Sequence, residues 1–151
     1  MKVLVFTIGP DRYAMRLAAL SRVVPVADLK QLALAPAFVA GLLDLHGEPV
    51  PVIDLSLMAG FARSETWNDT RIILVDYPLG GGASALLGMM AEHVTGVEDI
   101  DPGTLREPGV AGAPFLGQVS SGAAGMLQLV EVGELLTPAV RAELFPAQVP
   151  A

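Results

Sequence analysis

The hydrophobic residues of this chain form short runs that glycine, proline and charged residues interrupt. Runs of β-branched and aromatic residues bounded by turn residues are typical of strands. We therefore predict a hairpin over residues 41–55 and further strands over residues 3–8, 13–17, 20–26, 70–77, 84–90, 114–119 and 126–132. Residues 70–77 are apolar on both faces, which predicts burial between two layers.

Helical signals are few. Thr137 followed by Pro138 is typical of a helix start, and we predict a short C-terminal helix over residues 137–146, with Val140 and Leu144 on one face. Residues 35–39 predict a tight helical turn, residues 29–34 fit either a helical turn or a loop, and loops are predicted over residues 59–68, 92–101, 101–114 and 120–125. Many short strands at this spacing favour small barrels or a sandwich, arranged as two compact halves.

The hairpin is the most informative segment. We place its turn at residues 47–49, and strand alternation puts Asp44 and His46 together on the face opposite the leucines. Two prolines in the second arm lack backbone N–H groups, so that arm cannot be a fully paired central strand. A hairpin that presents polar groups beside a poorly pairing edge favours docking over catalysis.

Composition narrows the class of protein. Of the 151 residues, 52% are hydrophobic and 17% are charged, and the mean hydropathy is +0.55. No apolar run reaches the roughly 18 residues of a membrane-spanning helix, and residues 1–8 are too short for a secretion signal. The net charge of −7 argues against nucleic acid, and the absence of cysteine excludes thiolate chemistry. We expect a protein with apolar partner surfaces.

Candidate catalytic residues are weak. Ser56, Ser64 and Ser84 lack the surroundings of an activated nucleophile, and the two histidines have no metal-ligand spacing. We expect His93 to face solvent, while Trp67 fits an interface anchor and a cover over the core edge equally well. No enzyme activity, cofactor or metal is predicted.

Two neighbouring segments are PAFVAGLLDLHG at residues 36–47 and VPVIDL at residues 50–55. Together they resemble the central signature of the CheW-like coupling proteins of chemosensory systems. Weaker likeness extends over residues 4–9, 13–15, 20–24, 69–75 and 87–94. The tail, at residues 113–117, 125–129 and 141–146, resembles adaptors of Wsp-type, non-flagellar systems.

The resemblance implies an all-β fold of two intertwined five-stranded SH3-like barrels in a single domain over residues 1–151. The first barrel would centre on about residues 15–80, and the second on about residues 81–136 plus the N-terminal strand. It also implies a non-enzymatic, cytoplasmic scaffold that is recruited to receptor arrays without entering the membrane. Such a scaffold links methyl-accepting receptors to the regulatory domain of a CheA-type histidine kinase.

Site residues follow from the same resemblance. By position, the kinase-binding residues would be Leu20, Arg22, Val23 and Gly41. The receptor-binding residues would be Asp44, His46 and Arg71. Leu20 and Val23 fit the core equally well, and Gly41 fits a simple bend.

Departures from the family pattern concern these contacts. Asp44-Leu45-His46-Gly47 stands where the family has Asn-x-Arg-Gly, and Arg22 replaces a glutamate. Arginine is a permanent cation, whereas histidine is mostly neutral at pH 7. We therefore expect a dedicated receptor and kinase with compensating changes. The alternatives are a stand-alone CheW-like module for another signalling protein and, far behind, a small β-barrel enzyme.

Overall fold

The fold is that of a computed structural model, which describes residues 1–122 and 124–146. The described residues form nine strands: β1 Lys2–Ile8, β2 Asp11–Arg16, β3 Leu20–Pro25, β4 Val39–Leu45, β5 Glu48–Asp54, β6 Arg71–Gly80, β7 Ala83–Asp99, β8 Leu116–Gly122 and β9 Gly125–Val130. Two short helices are α1 Leu55–Met58 and α2 Pro138–Leu144. The predicted all-β class is confirmed. Residue 123 of the predicted 120–125 turn and residues 147–151 lie outside the described part.

Strand β7 divides the strands into two groups of five. Its first part pairs with β6 and β5, which pair in turn with β3 and β4. Its last part pairs with β1, and β2, β9 and β8 follow in order. One strand therefore belongs to both groups, which intertwines them.

The groups divide the chain differently from the expected barrels. Residues 83–91 pair with β6 and so belong to the first group, not to a second barrel that begins at about residue 81. Strand β2 pairs with β1 and β9 of the second group. The reason is local: β6 and β7 form a hairpin, and so do β1 and β2.

The first group curls so that the segment after β3 comes back against β4, although β3 and β4 themselves do not pair. The cross-strand partners, one on each strand from β3 to β4, are Arg22, Leu74, Gly88, Val52 and Gly41. Beside Gly41, a single bridge joins Leu42 to Lys30, which follows β3 in the chain. A stagger of this kind is typical of the tilted strands of a small barrel. A bridge between Arg106 and Val119 joins the ends of the second group in the same way.

Three buried clusters fill the fold. The largest lies between the two groups, and one smaller cluster lies inside each group. Strand β6 serves two of them, because Ile73 and Val75 enter the shared cluster while Ile72 and Leu74 enter the first group. Burial on both faces is why the apolar runs are continuous, and it accounts for much of the hydrophobic composition.

Strand β7 extends through the acidic segment, so the loop predicted over residues 92–101 is wrong for most of its length. Lys2 pairs with Asp99 and Val3 with Glu98, because β1 needs a neighbour on that side. Two of the acidic side chains form ion pairs: Glu98 with Arg12 at 2.7 Å, and Asp99 with the N-terminal ammonium at 2.8 Å. Glu98 is exposed although it lies within a strand.

The helical predictions have mixed outcomes. Helix α2 is confirmed: the Thr137 side chain accepts a hydrogen bond from the Val140 N–H, and Val140 and Leu144 pack against the shared core. Residues 35–39 form a single tight turn, in which the Val39 N–H donates to the Pro36 carbonyl at 2.9 Å. No helix among the described residues is long and apolar enough to cross a membrane.

Candidate docking site

Three of the predicted kinase-binding residues lie on β3, the last strand of its sheet. Leu20 is half-buried against the shared core, whereas Arg22 is exposed and Val23 is 37% exposed. Within the described residues β3 pairs with β6 alone, so its outer edge carries no second strand. Such an edge can receive another protein surface.

Gly41 is buried, and its backbone requires glycine. Its φ is 145°, and a Cβ there would lie 2.5 Å from the Lys30 carbonyl oxygen and 3.0 Å from the Leu29 Cβ. A register shift between Val39 and Gly41 bends β4 at this point. Gly41 therefore permits the bend and the close approach of the segment after β3. A side chain at this position would have to displace backbone of the segment after β3.

The tip of the β4–β5 hairpin is a two-residue turn at His46 and Gly47, not at residues 47–49. Both have positive φ, 51° and 88°, as a type I′ turn requires. The Asp44 carboxylate accepts a hydrogen bond from the Gly47 N–H at 2.7 Å. His46 thus occupies the turn itself rather than sharing a strand face with Asp44, and both side chains are exposed.

A shallow groove of about 260 Å³ lies beside this turn. Its lining is mainly apolar, and it includes Asp44, Leu42, Pro49 and Lys30. Lys30 was not a predicted site residue. Nothing in the ambiguous segment 29–34 indicated that it would cross back to β4.

Arg71 does not join Asp44 and His46. It pairs with Ala91, at the end of β6 nearest Asp54, whereas the hairpin tip lies at the opposite end of β5. Along β5 that separation is about 20 Å at the usual rise per residue. The Arg71 guanidinium donates to the Asn68 and Thr70 carbonyls. The predicted receptor-binding residues therefore lie at two separate sites: Asp44 and His46 at the hairpin tip, and Arg71 at the opposite end of the sheet.

Two of the serines considered as nucleophiles, Ser56 and Ser64, have structural partners, and Ser84 is exposed. The buried Asp54 carboxylate accepts hydrogen bonds from the N–H groups of Ser56, Leu57 and Ser64, and from the Ser64 hydroxyl at 2.7 Å. This network caps α1 and fixes the following loop. The described residues contain no group of three potential metal ligands.

Trp67 and His93 pack together on the outside of β7. Their rings stack at 5.5 Å, and the Trp67 indole N–H donates to Glu92 at 2.8 Å. His93 lies 2.9 Å from Asp69 and is 43% exposed. Trp67 is 47% exposed, so it covers part of β7 and leaves the rest of its ring at the surface.

Shifted pKa values lie away from the docking residues. Burial raises the pKa of Tyr13, with Asp11 adding to the effect. Burial also raises the pKa of Tyr77, which stacks on Phe145, although Arg141 opposes the rise. The hydrogen bond and charge of the N-terminal ammonium lower the pKa of Asp99, and Lys2 contributes further.

Comparisons with known proteins agree on one family. A family model described as a CheW-like domain matches residues 2–139. The chemotaxis protein CheW of Klebsiella aerogenes is 25% identical over 142 residues, covering 89% of this chain and 80% of that protein. The scaffolding protein TtCheW from Thermoanaerobacter tengcongensis has the same fold, with a TM-score of 0.80 at 23% identity, covering 92% of this chain and 89% of that one. The chain therefore belongs to the CheW-like family of non-enzymatic chemosensory scaffold proteins.

Proposed function

We propose that this protein couples methyl-accepting chemosensory receptors to a CheA-type histidine kinase. The observation that carries the proposal is the family match over residues 2–139, which spans both groups of strands. The function is bivalent binding: one surface holds the kinase regulatory domain and another holds the receptor tip. Individual contacts of micromolar strength, about −8 kcal/mol each, suffice where an array supplies many of them.

The kinase side is the edge strand β3. Arg22 and Val23 are its exposed side chains in this proposal, and Leu20 anchors the strand to the core behind them. Gly41 contributes by permitting the bend that brings β4 against the segment after β3. Exposed side chains on a well-supported strand provide a preorganised contact surface.

The receptor side is the tip of the β4–β5 hairpin. Asp44 holds the turn, His46 presents its imidazole to solvent, and the neighbouring groove offers apolar surface to a helix. Arg71 would make a separate receptor contact, because the strand register holds it at the other end of the sheet. Receptor state would then shift the kinase between conformations through contacts that differ between states.

We further propose a cytoplasmic location with recruitment to receptor arrays, and a pathway of the Wsp type. The tail segments at residues 113–117, 125–129 and 141–146 support the narrower assignment by resemblance. The genes that neighbour this one provide a direct check. A receptor and a hybrid kinase with a diguanylate cyclase would fit this pathway, whereas flagellar genes would contradict it.

Reconstitution tests the coupling. Vesicles carrying the neighbouring receptor, its kinase and this protein should sediment together, and kinase autophosphorylation should respond to receptor ligand only when all three are present. Failure of the wild-type chain to bind either purified partner would overturn the proposal.

His46→Asn separates the two surfaces. Asparagine tolerates the positive φ of a type I′ turn, so the hairpin should keep its shape while the imidazole is lost. We expect receptor binding to weaken and kinase binding to stay unchanged. Equal loss of both would indicate misfolding, which circular dichroism would detect.

A further inference from the structure

Two arginines stand apart from the others. Across residues 1–122 and 124–146, Arg22 and Arg63 make no hydrogen bond and no ion pair, although five other arginines do. Those five donate to Glu98, Glu131, or backbone carbonyl oxygens: Arg12, Arg16, Arg71, Arg106 and Arg141. Arg22 and Arg63 are therefore the two arginines of the described residues whose guanidinium groups have no acceptor in the chain itself.

The surroundings of Arg22 and Arg63 differ. Arg63 lies in the exposed segment between α1 and β6, with no regular structure around it. Arg22 lies in β3, paired with Leu74 across the ladder, and the next residue, Val23, is half-exposed. Asp76 is two positions along β6 from Leu74 and forms no ion pair with Arg22. Arg22 is thus an unpaired cation on the edge strand, and Val23 leaves the strand on the opposite face.

The permanent charge of Arg22 on this edge strand indicates the chemistry of a partner surface that binds there. A guanidinium binds a carboxylate through two parallel hydrogen bonds. A cationic partner surface would be repelled at the same place. The partner must therefore bring negative charge to Arg22 and an apolar contact to Val23.

We propose that the kinase regulatory domain presents an aspartate or glutamate to Arg22, and that an apolar patch of the same domain covers Val23 on the other face of the strand. This inference rests on the proposed function and names the chemistry of its kinase side. Leu20 and Gly41 then support the surface from behind without touching the partner. The charge pair sets which kinase is accepted, because a domain with a basic residue at that point is excluded.

Arg63 supplies a matched control. Arg22→Glu and Arg63→Glu change the net charge equally, and both side chains are exposed. Binding to the purified regulatory domain of the neighbouring kinase is measured by calorimetry at low and high salt. We expect Arg22→Glu to weaken binding at least about tenfold and to lose most of its salt dependence, whereas Arg63→Glu binds like the wild type.

A reciprocal change completes the test. Carboxylates on the kinase domain are replaced singly by lysine, and one replacement should restore binding to Arg22→Glu while weakening binding to the wild type. Equal effects of Arg22→Glu and Arg63→Glu, or no effect of either, overturn the inference and leave the proposed function standing. Absence of binding by the wild-type chain overturns both. Thermal unfolding of each variant verifies its fold.

Discussion

Val23 and Ile73 face each other across the β3–β6 ladder, yet they have different environments. Ile73 is fully buried in the shared core, whereas Val23 is 37% exposed on the open edge. Strand β6 packs on both faces. Its neighbour β3 contacts the buried clusters through two partly buried residues, Leu20 and Val24. Adjacent strands of one sheet therefore have separate tasks: β6 holds the fold together, and β3 is free to contact a partner.

The strongest test of that contrast is to truncate each member of the pair Ile73 and Val23 to alanine. Ile73→Ala should lower the free energy of unfolding by about 2–5 kcal/mol, because it leaves a cavity in the shared core. Val23→Ala should lower it by less than about 1 kcal/mol. Urea denaturation measures both, and similar losses would mean that β3 is as important to stability as β6.

The same contrast applies to capping carboxylates. Asp54→Ala should cost about 2–3 kcal/mol, because buried N–H groups lose their acceptor. Asp101 caps an exposed turn through the Gly103 N–H, and Asp101→Ala should cost about 0.5–1 kcal/mol. Equal shifts of the urea midpoint in the two variants would show that burial does not determine how much a capping carboxylate stabilises the fold.

Substitution of Gly41 tests whether kinase binding at β3 depends on the buried bend of β4 against the segment after β3. Gly41→Ala should destabilise by about 2–3 kcal/mol through positive φ and overlap with Lys30. Gly47→Ala has open space around its Cβ and should cost about 1 kcal/mol. If Gly41→Ala melts like the wild type but loses kinase binding, Gly41 is itself a contact.

The smallest expected effect is a dependence on pH. The pKa of Asp99 is lowered in the folded state by the N-terminal ammonium, so its stabilising contribution is present above the ordinary value of 3.8 and is lost as pH falls through the folded value. Asp99→Asn should therefore have a slightly lower melting temperature than the wild type near neutral pH, and the difference should vanish in acid. A difference that persists in acid would show that charge is not its cause.

Much of the fold could be predicted from local pattern. Residues 3–8 and 70–77 are apolar runs, and they become β1 and β6 because burial on both faces requires such runs. Thr137 and Pro138 carry their own helix signal. These features need no knowledge of distant residues.

Features that depend on distant pairing escaped prediction. Residues 92–99 have the composition of a loop, and they are a strand only because β1 lies beside them. The hairpin turn was misplaced because histidine is an uncommon residue at positive φ, where asparagine or aspartate gives the usual signal. The separation of Arg71 from Asp44 follows from strand order, which the local sequence does not contain.

The 17-residue strand β7 has a mechanical consequence. Strand β7 pairs with strands of both groups. Unfolding of either group therefore removes a paired strand from the other. A chain severed between Ala91 and Glu92 should yield two insoluble fragments rather than two working modules.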